Sequence, residues 1–253
     1  MMWRSARSDR RMGSHGPALL EVVDLSVQYG DVTALRPVSV TVEPGTAMTV
    51  LGPNGAGKTS FANALSGVIR STATAVNVDG VDFRSWPAHA RARLGVGHLP
   101  DSRAIFPSLT VEENLRMGFH LDRRTSRRNI ATAYELFPNL SRRKRVTAGK
   151  LSGGEQQMLA LARLLVKPPR LLIADELSHG LAPGVVASLF KLLEGLKGTS
   201  TIIIVEQFVT RALALADTVL VLSHGDVMHH GPAASFSADQ AAEFYSLQPA
   251  RAG

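Results

Sequence analysis

Hydrophobic and polar positions change their rhythm several times along the chain, and each change marks an element. Residues 19–42 read as β: Val38, Val40 and Val42 alternate with Ser39 and Thr41, the period-two pattern of a half-buried strand. Glu43-Pro44-Gly45 is a turn signal. Beyond it, Ala47–Leu51 is a short apolar strand that runs into a glycine-rich loop, and residues 59–65 read as the helix after that loop. From about 87 to 168 the spacing is mostly helical. Thr110-Val111-Glu112-Glu113 and Ser152-Gly153-Gly154-Glu155 are capping-box patterns, each opening a helix. In the helix after the second, Met158, Leu161, Leu164 and Leu165 make an apolar stripe that predicts core and nothing more. Residues 171–174 form an apolar strand ending in two carboxylates, and Thr201–Val205 is a second buried strand, rich in Ile. Strands alternating with helices predict a parallel α/β sheet. No internal repeat or low-complexity linker breaks the series.

Composition narrows the class. The chain has 253 residues, 45% hydrophobic and 19% charged, ordinary for a globular protein with a sizeable core. It has no cysteine, which excludes a disulfide scaffold, a zinc-thiolate site, an iron–sulfur cluster and a cysteine nucleophile. The longest apolar stretches, such as 158–166 and 218–222, fall short of the ~18 residues that a membrane span needs. No apolar segment follows the N-terminal arginines, so a secretory signal is not expected. A soluble or peripheral, intracellular protein is.

The net charge is +7, from 28 Lys and Arg against 21 Asp and Glu, and two stretches hold it. Residues 1–16, read as a mobile basic tail, carry Arg4, Arg7, Arg10 and Arg11 against one Asp. Residues 120–145 carry Arg123, Arg124, Arg127, Arg128, Arg142, Arg143, Lys144 and Arg145 against Asp122 and Glu135. Such runs serve as solvated faces or as contacts for anionic lipid or an acidic partner loop. Neither aromatic stacking positions nor a recognition helix accompanies them, so nucleic acid is not the expected partner.

The chemistry sits in two motifs. Gly52-Pro53-Asn54-Gly55-Ala56-Gly57-Lys58-Thr59 fits G-x-x-x-x-G-K-[ST] between a strand and a helix, with Ser60 next in that helix. Its glycines let backbone N–H groups turn toward phosphates at a helix N-terminus. Lys58 is placed to neutralise β/γ-phosphate charge, and Thr59 to ligate Mg²⁺. The second motif is Asp175-Glu176 at the end of its strand. Beside a phosphate loop, Asp175 is placed to hold Mg²⁺ and Glu176 to orient and deprotonate an attacking water.

A third segment, Leu151-Ser152-Gly153-Gly154-Glu155-Gln156-Gln157, contains the full LSGGEQQ signature. With it the sequence resembles the ATP-binding-cassette superfamily from about residue 19 to residue 248. The resemblance implies a P-loop α/β cassette: a RecA-like parallel sheet, an N-terminal antiparallel β subdomain, and a helical subdomain inserted at about 87–165, within a domain spanning 17–248. It implies ATP and Mg²⁺ as ligands, and a head-to-tail dimer in which Ser152, Gly153, Gly154 and Glu155 of one cassette meet the nucleotide of the other. Tyr29 takes the place of the aromatic that stacks on adenine. Asp101 falls in the loop that senses Mg²⁺ and the transporter, and Gln207 takes the place of the switch His at the γ-phosphate. Residues 178–182 cover the loop that crosses the dimer interface, with Ala182 where most cassettes carry Asp.

Ile105-Phe106-Pro107, residues 109–115, Gly180-Leu181-Ala182-Pro183 and Val205-Glu206-Gln207 together look like one of the two ATP-binding subunits of branched-chain amino acid importers, the LivF type. That subgroup implies two transmembrane permease subunits, a second cassette identical or different, an extracytoplasmic solute-binding protein acting indirectly, and a place on the cytoplasmic face of the membrane. Asp101 is one methylene shorter than the Glu expected there, and Leu177 stands where a Pro is usual, removing a fixed φ just after Glu176. Both departures motivate an alternative, a cassette that binds ATP but hydrolyses it poorly. A cassette ATPase acting on DNA or ribosomes is a further alternative. Lys58 and Leu151 are 93 residues apart, too few for the long coiled coil of the DNA-acting types.

Overall fold

The computed structural model describes residues 19–102, 104–117 and 123–246. The basic tail expected at 1–16 lies outside the described residues, as do the side chains of 118–127 within the basic stretch.

The chain opens with two long strands, β1 (Leu20–Tyr29) and β2 (Val32–Val42), paired antiparallel. The expected alternation holds: Val38, Val40 and Val42 are buried while Ser39 and Thr41 are exposed. β3 (Ala47–Leu51) follows the 43–45 turn, then α1 (Lys58–Ser66), β4 (Ala75–Val78), β5 (Val81–Asp82), α2 (Ala88–Arg93) and β6 (Val96–Leu99). Helices α3 (Val111–Met117), α4 (Arg123–Leu136), α5 (Pro138–Arg142) and α6 (Gly153–Leu165) come next, before β7 (Leu171–Asp175). The chain closes through α7 (Pro183–Leu196), β8 (Thr201–Val205), α8 (Val209–Leu215), β9 (Thr218–Ser223), β10 (Asp226–Pro232) and α9 (Ala238–Ser246).

Two sheets result. One is antiparallel, in the order β2-β1-β4-β5. The other has the order β10-β9-β3-β8-β7-β6 and is parallel throughout except for the β9–β10 hairpin. β3, β7 and β8 are buried at every residue, which is why they read as unbroken apolar runs. One core lies between the antiparallel sheet, α1 and one face of the large sheet, around Leu25, Phe61, Ile173 and Ile203. A second lies on the opposite face under α3 to α7, around Leu115, Leu140, Leu161, Leu172 and Ile204.

The stretch from 87 to 168 is mostly helical as expected, with turns at 101–102 and 107–108. It also holds one unexpected strand, β6, which pairs with β7 at the sheet edge, Gly97 opposite Leu172 and His98 opposite Ile173. Its four residues, broken by glycine and histidine, carry too little pattern to announce a strand. On α6 the expected stripe packs on the second core: Leu161 and Leu165 are buried, Met158 and Leu164 are half-buried against the same cluster, and Leu159 and Ala162 widen the buried face. Both predicted capping boxes form: Glu113 N–H donates to Thr110 Oγ1 at 3.2 Å with Thr110 N–H returning to Glu113 at 2.8 Å, and Ser152 pairs with Glu155 in the same way.

Candidate active site

The ends of β3, β7 and β8 are neighbours because those strands are adjacent and parallel, so residues distant in sequence converge on one edge of the sheet. β3 delivers the glycine loop. Gly52 and Gly57 are obligatory there: their φ values are 147° and 99°, and a Cβ would lie 2.1 Å from the Leu222 carbonyl oxygen and 2.5 Å from that of Ala34. Gly57 caps α1 with no side-chain acceptor, so the first N–H groups of the helix are left for a ligand. Asn54 through Ser60, with Ala34 and Glu176, line a cavity of about 230 Å³.

Lys58 is buried, and its ammonium donates to the carbonyls of Gly52 at 2.7 Å and Pro53 at 3.0 Å. Burial lowers its pKa, against the opposing pull of Glu176, Asp175 and Glu206. Asp175 ends β7 and is 1% exposed. Burial pushes its carboxyl up to about 6; the Thr59 hydroxyl bond and Lys58 pull it down, and Glu176 and Asp101 push it further up. Among the described residues, its Oδ1 has no hydrogen-bond partner. A buried, unpartnered carboxylate oxygen beside a hydroxyl is the donor chemistry a hard divalent cation takes, so Thr59 and Asp175 fit Mg²⁺.

Glu176 has φ 48°, a left-handed conformation unusual for a residue with a Cβ and worth roughly 1–3 kcal/mol of strain. Its N–H donates to Val205 O at 2.9 Å, fastening it to β8. Its side chain meets Gln207, whose Nε2 donates to Glu176 Oε1 at 2.9 Å and to Asn54 Oδ1 at 2.7 Å. One amide thus joins the glycine loop, the acid after β7 and the segment after β8. Leu177 is buried against the core of the second face, which fixes the chain after Glu176 where a Pro ring is lacking.

Asp101, beyond β6, is exposed on the far side of Glu176. His179 stands between them, its Nδ1 3.7 Å from Asp101 and 3.6 Å from Glu176. Sequence reading missed His179, and nothing local signals it: the contact exists because β6 and β7 are paired. It also passed over Glu206 as a site residue.

The remaining expected residues lie apart. Tyr29 is 48% exposed at the end of β1 and does not line the glycine-loop cavity. Ser152 caps α6, and none of residues 151–157 lines that cavity. Arg143 Nε reaches Glu155 at 2.9 Å, so one residue of the basic stretch touches the first turn of α6; Arg142, Lys144 and Arg145 are exposed beside it. Ala182 caps α7 with Pro183 at the first helical position, where a missing N–H is harmless.

A parallel sheet carrying a glycine phosphate loop after β3, a buried lysine and an acid pair after β7 is a P-loop nucleotide-binding cassette. A family model described as ABC transporter matches residues 35–179, and the chain belongs to that family as an ABC ATPase domain. Among curated relatives, the high-affinity branched-chain amino acid transport ATP-binding protein BraG of Pseudomonas aeruginosa is 38% identical over 86% of this chain and 94% of its own length. The probable branched-chain amino acid transport ATP-binding protein LivF of Archaeoglobus fulgidus is 35% identical, covering 85% and 92%. The lipopolysaccharide export ATP-binding protein LptB of Escherichia coli is 30% identical, covering 85% and 90%. Of solved structures, a dimeric bacterial ABC transporter cassette matches in fold with a TM-score of 0.77 at 21% identity, over 86% of this chain and all of its own. Among the described residues no helix is long and apolar enough to cross a membrane.

Proposed function

We propose that this chain is the ATP-hydrolysing subunit of an importer of branched-chain amino acids or a related small polar solute. The observation that carries the hydrolytic reading is the Gln207 amide, bonded at once to Asn54 of the phosphate loop and to Glu176. The cargo rests on BraG and LivF, the two relatives at 38% and 35% identity whose names give branched-chain amino acid transport.

The residues then divide the work. ATP places its triphosphate in the loop of Gly52, Pro53, Asn54, Gly55, Ala56 and Gly57, against the N–H groups of Lys58, Thr59 and Ser60. The Lys58 ammonium exchanges its two carbonyl partners for phosphate oxygens. Thr59 and Asp175 hold Mg²⁺ with Asp101 further out, and the ion, when bound, neutralises charge on the β- and γ-phosphates. Glu176 orients a water and takes its proton as the γ-phosphate leaves ADP. Gln207 gives up Asn54 and donates to the γ-phosphate. Tyr29 stacks on adenine. Ser152, Gly153, Gly154 and Glu155 of a second cassette close the site in a head-to-tail dimer, since in the chain itself they lie away from the cavity. The helical insertion at about 87–165 and the loop at Asp101 dock on two permease subunits at the cytoplasmic face, and an extracytoplasmic binding protein chooses the solute. The rate comes from positioning and charge stabilisation.

A passive, poorly hydrolysing cassette is the weaker reading. Leu177 is held by the core and Glu176 by Val205, so the missing Pro leaves the backbone determined.

The test is a co-purification. Tagged Glu176→Gln is solubilised from native membranes with MgATP, with Lys58→Ala as the control that weakens the closed state. Two permease chains and a cassette in the eluate support the importer; ribosomes, DNA or the chain alone overturn it.

A further inference from the structure

Glu206 belongs to neither nucleotide motif, yet it is 1% exposed, as enclosed as Asp175. Two of its carboxylate hydrogen bonds cross to the loop after β7, and a third holds its own loop. Oε1 accepts from Ser178 N–H at 3.1 Å, and Oε2 accepts from the Ser178 hydroxyl at 2.6 Å and from Gln207 N–H at 3.3 Å. Ser178 lies two residues after Glu176, and Gln207 directly follows Glu206. The carboxylate therefore ties together the two chain segments whose side chains meet over the phosphate loop.

A buried carboxylate carries a desolvation penalty, and an apolar side chain of similar volume often fills such a site at less cost. Burial does push the Glu206 carboxyl up, with the Ser178 and Gln207 bonds pulling it back. What the charge provides is three convergent acceptor positions for three donors, which no neutral side chain of that size supplies. Glu176 sits between two anchors: its own N–H on Val205 O, and Ser178 on Glu206. A left-handed backbone at a residue with a Cβ persists only where the surroundings over-determine it, and the second anchor completes that determination.

We infer that Glu206 is a positioning residue for hydrolysis: its carboxylate clamps the loop after β7 to the loop after β8, holding Glu176 and Gln207 in the register at which both reach the phosphate loop. The inference rests on the reading of Glu176 as the base. It is not a contact with substrate, since both carboxylate oxygens are already taken up by Ser178 and the Gln207 N–H.

The experiment is steady-state and single-turnover hydrolysis on the full chain. Glu206→Gln keeps the volume and one acceptor oxygen but turns an N–H₂ toward the converging donors. Displacing a reacting group by about 1 Å costs up to ~10²-fold, so kcat should fall about 10- to 100-fold with KM for ATP almost unmoved. Ser178→Ala removes only the 2.6 Å bond and should give a smaller fall in kcat, again without a KM change. In the Glu176→Gln background, Glu206→Gln should add almost nothing, because residues acting through one another are not additive. Unchanged kcat in both single variants, a full further loss in the double variant, or a loss that appears in KM overturns the clamp. Glu176→Gln measured alone separates the two claims. If it leaves kcat intact, the base assignment fails and the clamp fails with it; if it lowers kcat while Glu206→Gln and Ser178→Ala do not, only the clamp fails.

Discussion

The raised Asp175 carboxyl should make the nucleotide-free protein less stable as pH rises, and replacing it with Asn should remove that contribution. The carboxyl ends β7, buried, with Oδ1 unpartnered and Thr59 on the carboxylate. Burial is the main cause of its rise from 3.8 to about 6. Between those values the native state keeps a proton that the unfolded chain has released, so stability falls with rising pH across this window and levels off above it. About two pH units correspond to about 3 kcal/mol, of which roughly half is lost between pH 5 and 7.5. Asp175→Asn cannot titrate and still offers Thr59 an acceptor. Histidines and other acids titrate in both proteins, so the difference between their melting profiles isolates Asp175. At roughly 2–4 °C per kcal/mol for a domain of this size, wild type should lose about 3–6 °C relative to the variant between pH 5 and 7.5. The assay is thermal unfolding in EDTA without nucleotide. Saturating MgATP should then raise the wild-type midpoint well above that of the variant, because a ligand bound only to the native state stabilises it. Parallel profiles in EDTA would refute the reasoning, since they would mean that Asp175 ionises in the fold as it does in the open chain.

Other expectations follow from the same geometry. Glu176→Gln should lower phosphate release by about 10²–10⁴-fold while fluorescent-nucleotide binding persists, as removal of a positioned base does. Gln207→Ala loses two hydrogen bonds, one to a carboxylate; at about 1.5–3 kcal/mol for a bond to a charged group, kcat should drop about 10- to 100-fold with nucleotide affinity little changed. Gly57→Ala would place a methyl 2.5 Å from the Ala34 carbonyl oxygen at φ 99°, and chemical denaturation should show a loss of at least about 2 kcal/mol together with loss of nucleotide binding.

Legibility tracked distance along the chain. The run Gly52 to Thr59 and the pair Asp175-Glu176 could be read because each motif is contiguous and its spacing is its chemistry. β3, β7 and β8 could be read because burial on both faces leaves no polar break. β6 could not, because an edge strand of four residues becomes a strand only by pairing with β7. His179 beside Asp101, Gln207 on Asn54 and Glu206 on Ser178 could not either. Each pair is brought together by strand order, and no local pattern records it.

By itself, the sequence determined the strands buried on both faces, the capped helices, the phosphate loop, the acid pair and the signature, since steric preference, side-chain burial and motif spacing act between near neighbours. Only the tertiary structure decided which strand ends lie together. The order β10-β9-β3-β8-β7-β6 sets Ala47 beside Ile202 and Asp175 beside Val205, and from that register come the Glu176–Gln207–Asn54 contacts and the raised Asp175 carboxyl. Those properties depend on burial and on partners many residues away, which exist only once the whole sheet has closed on its two cores.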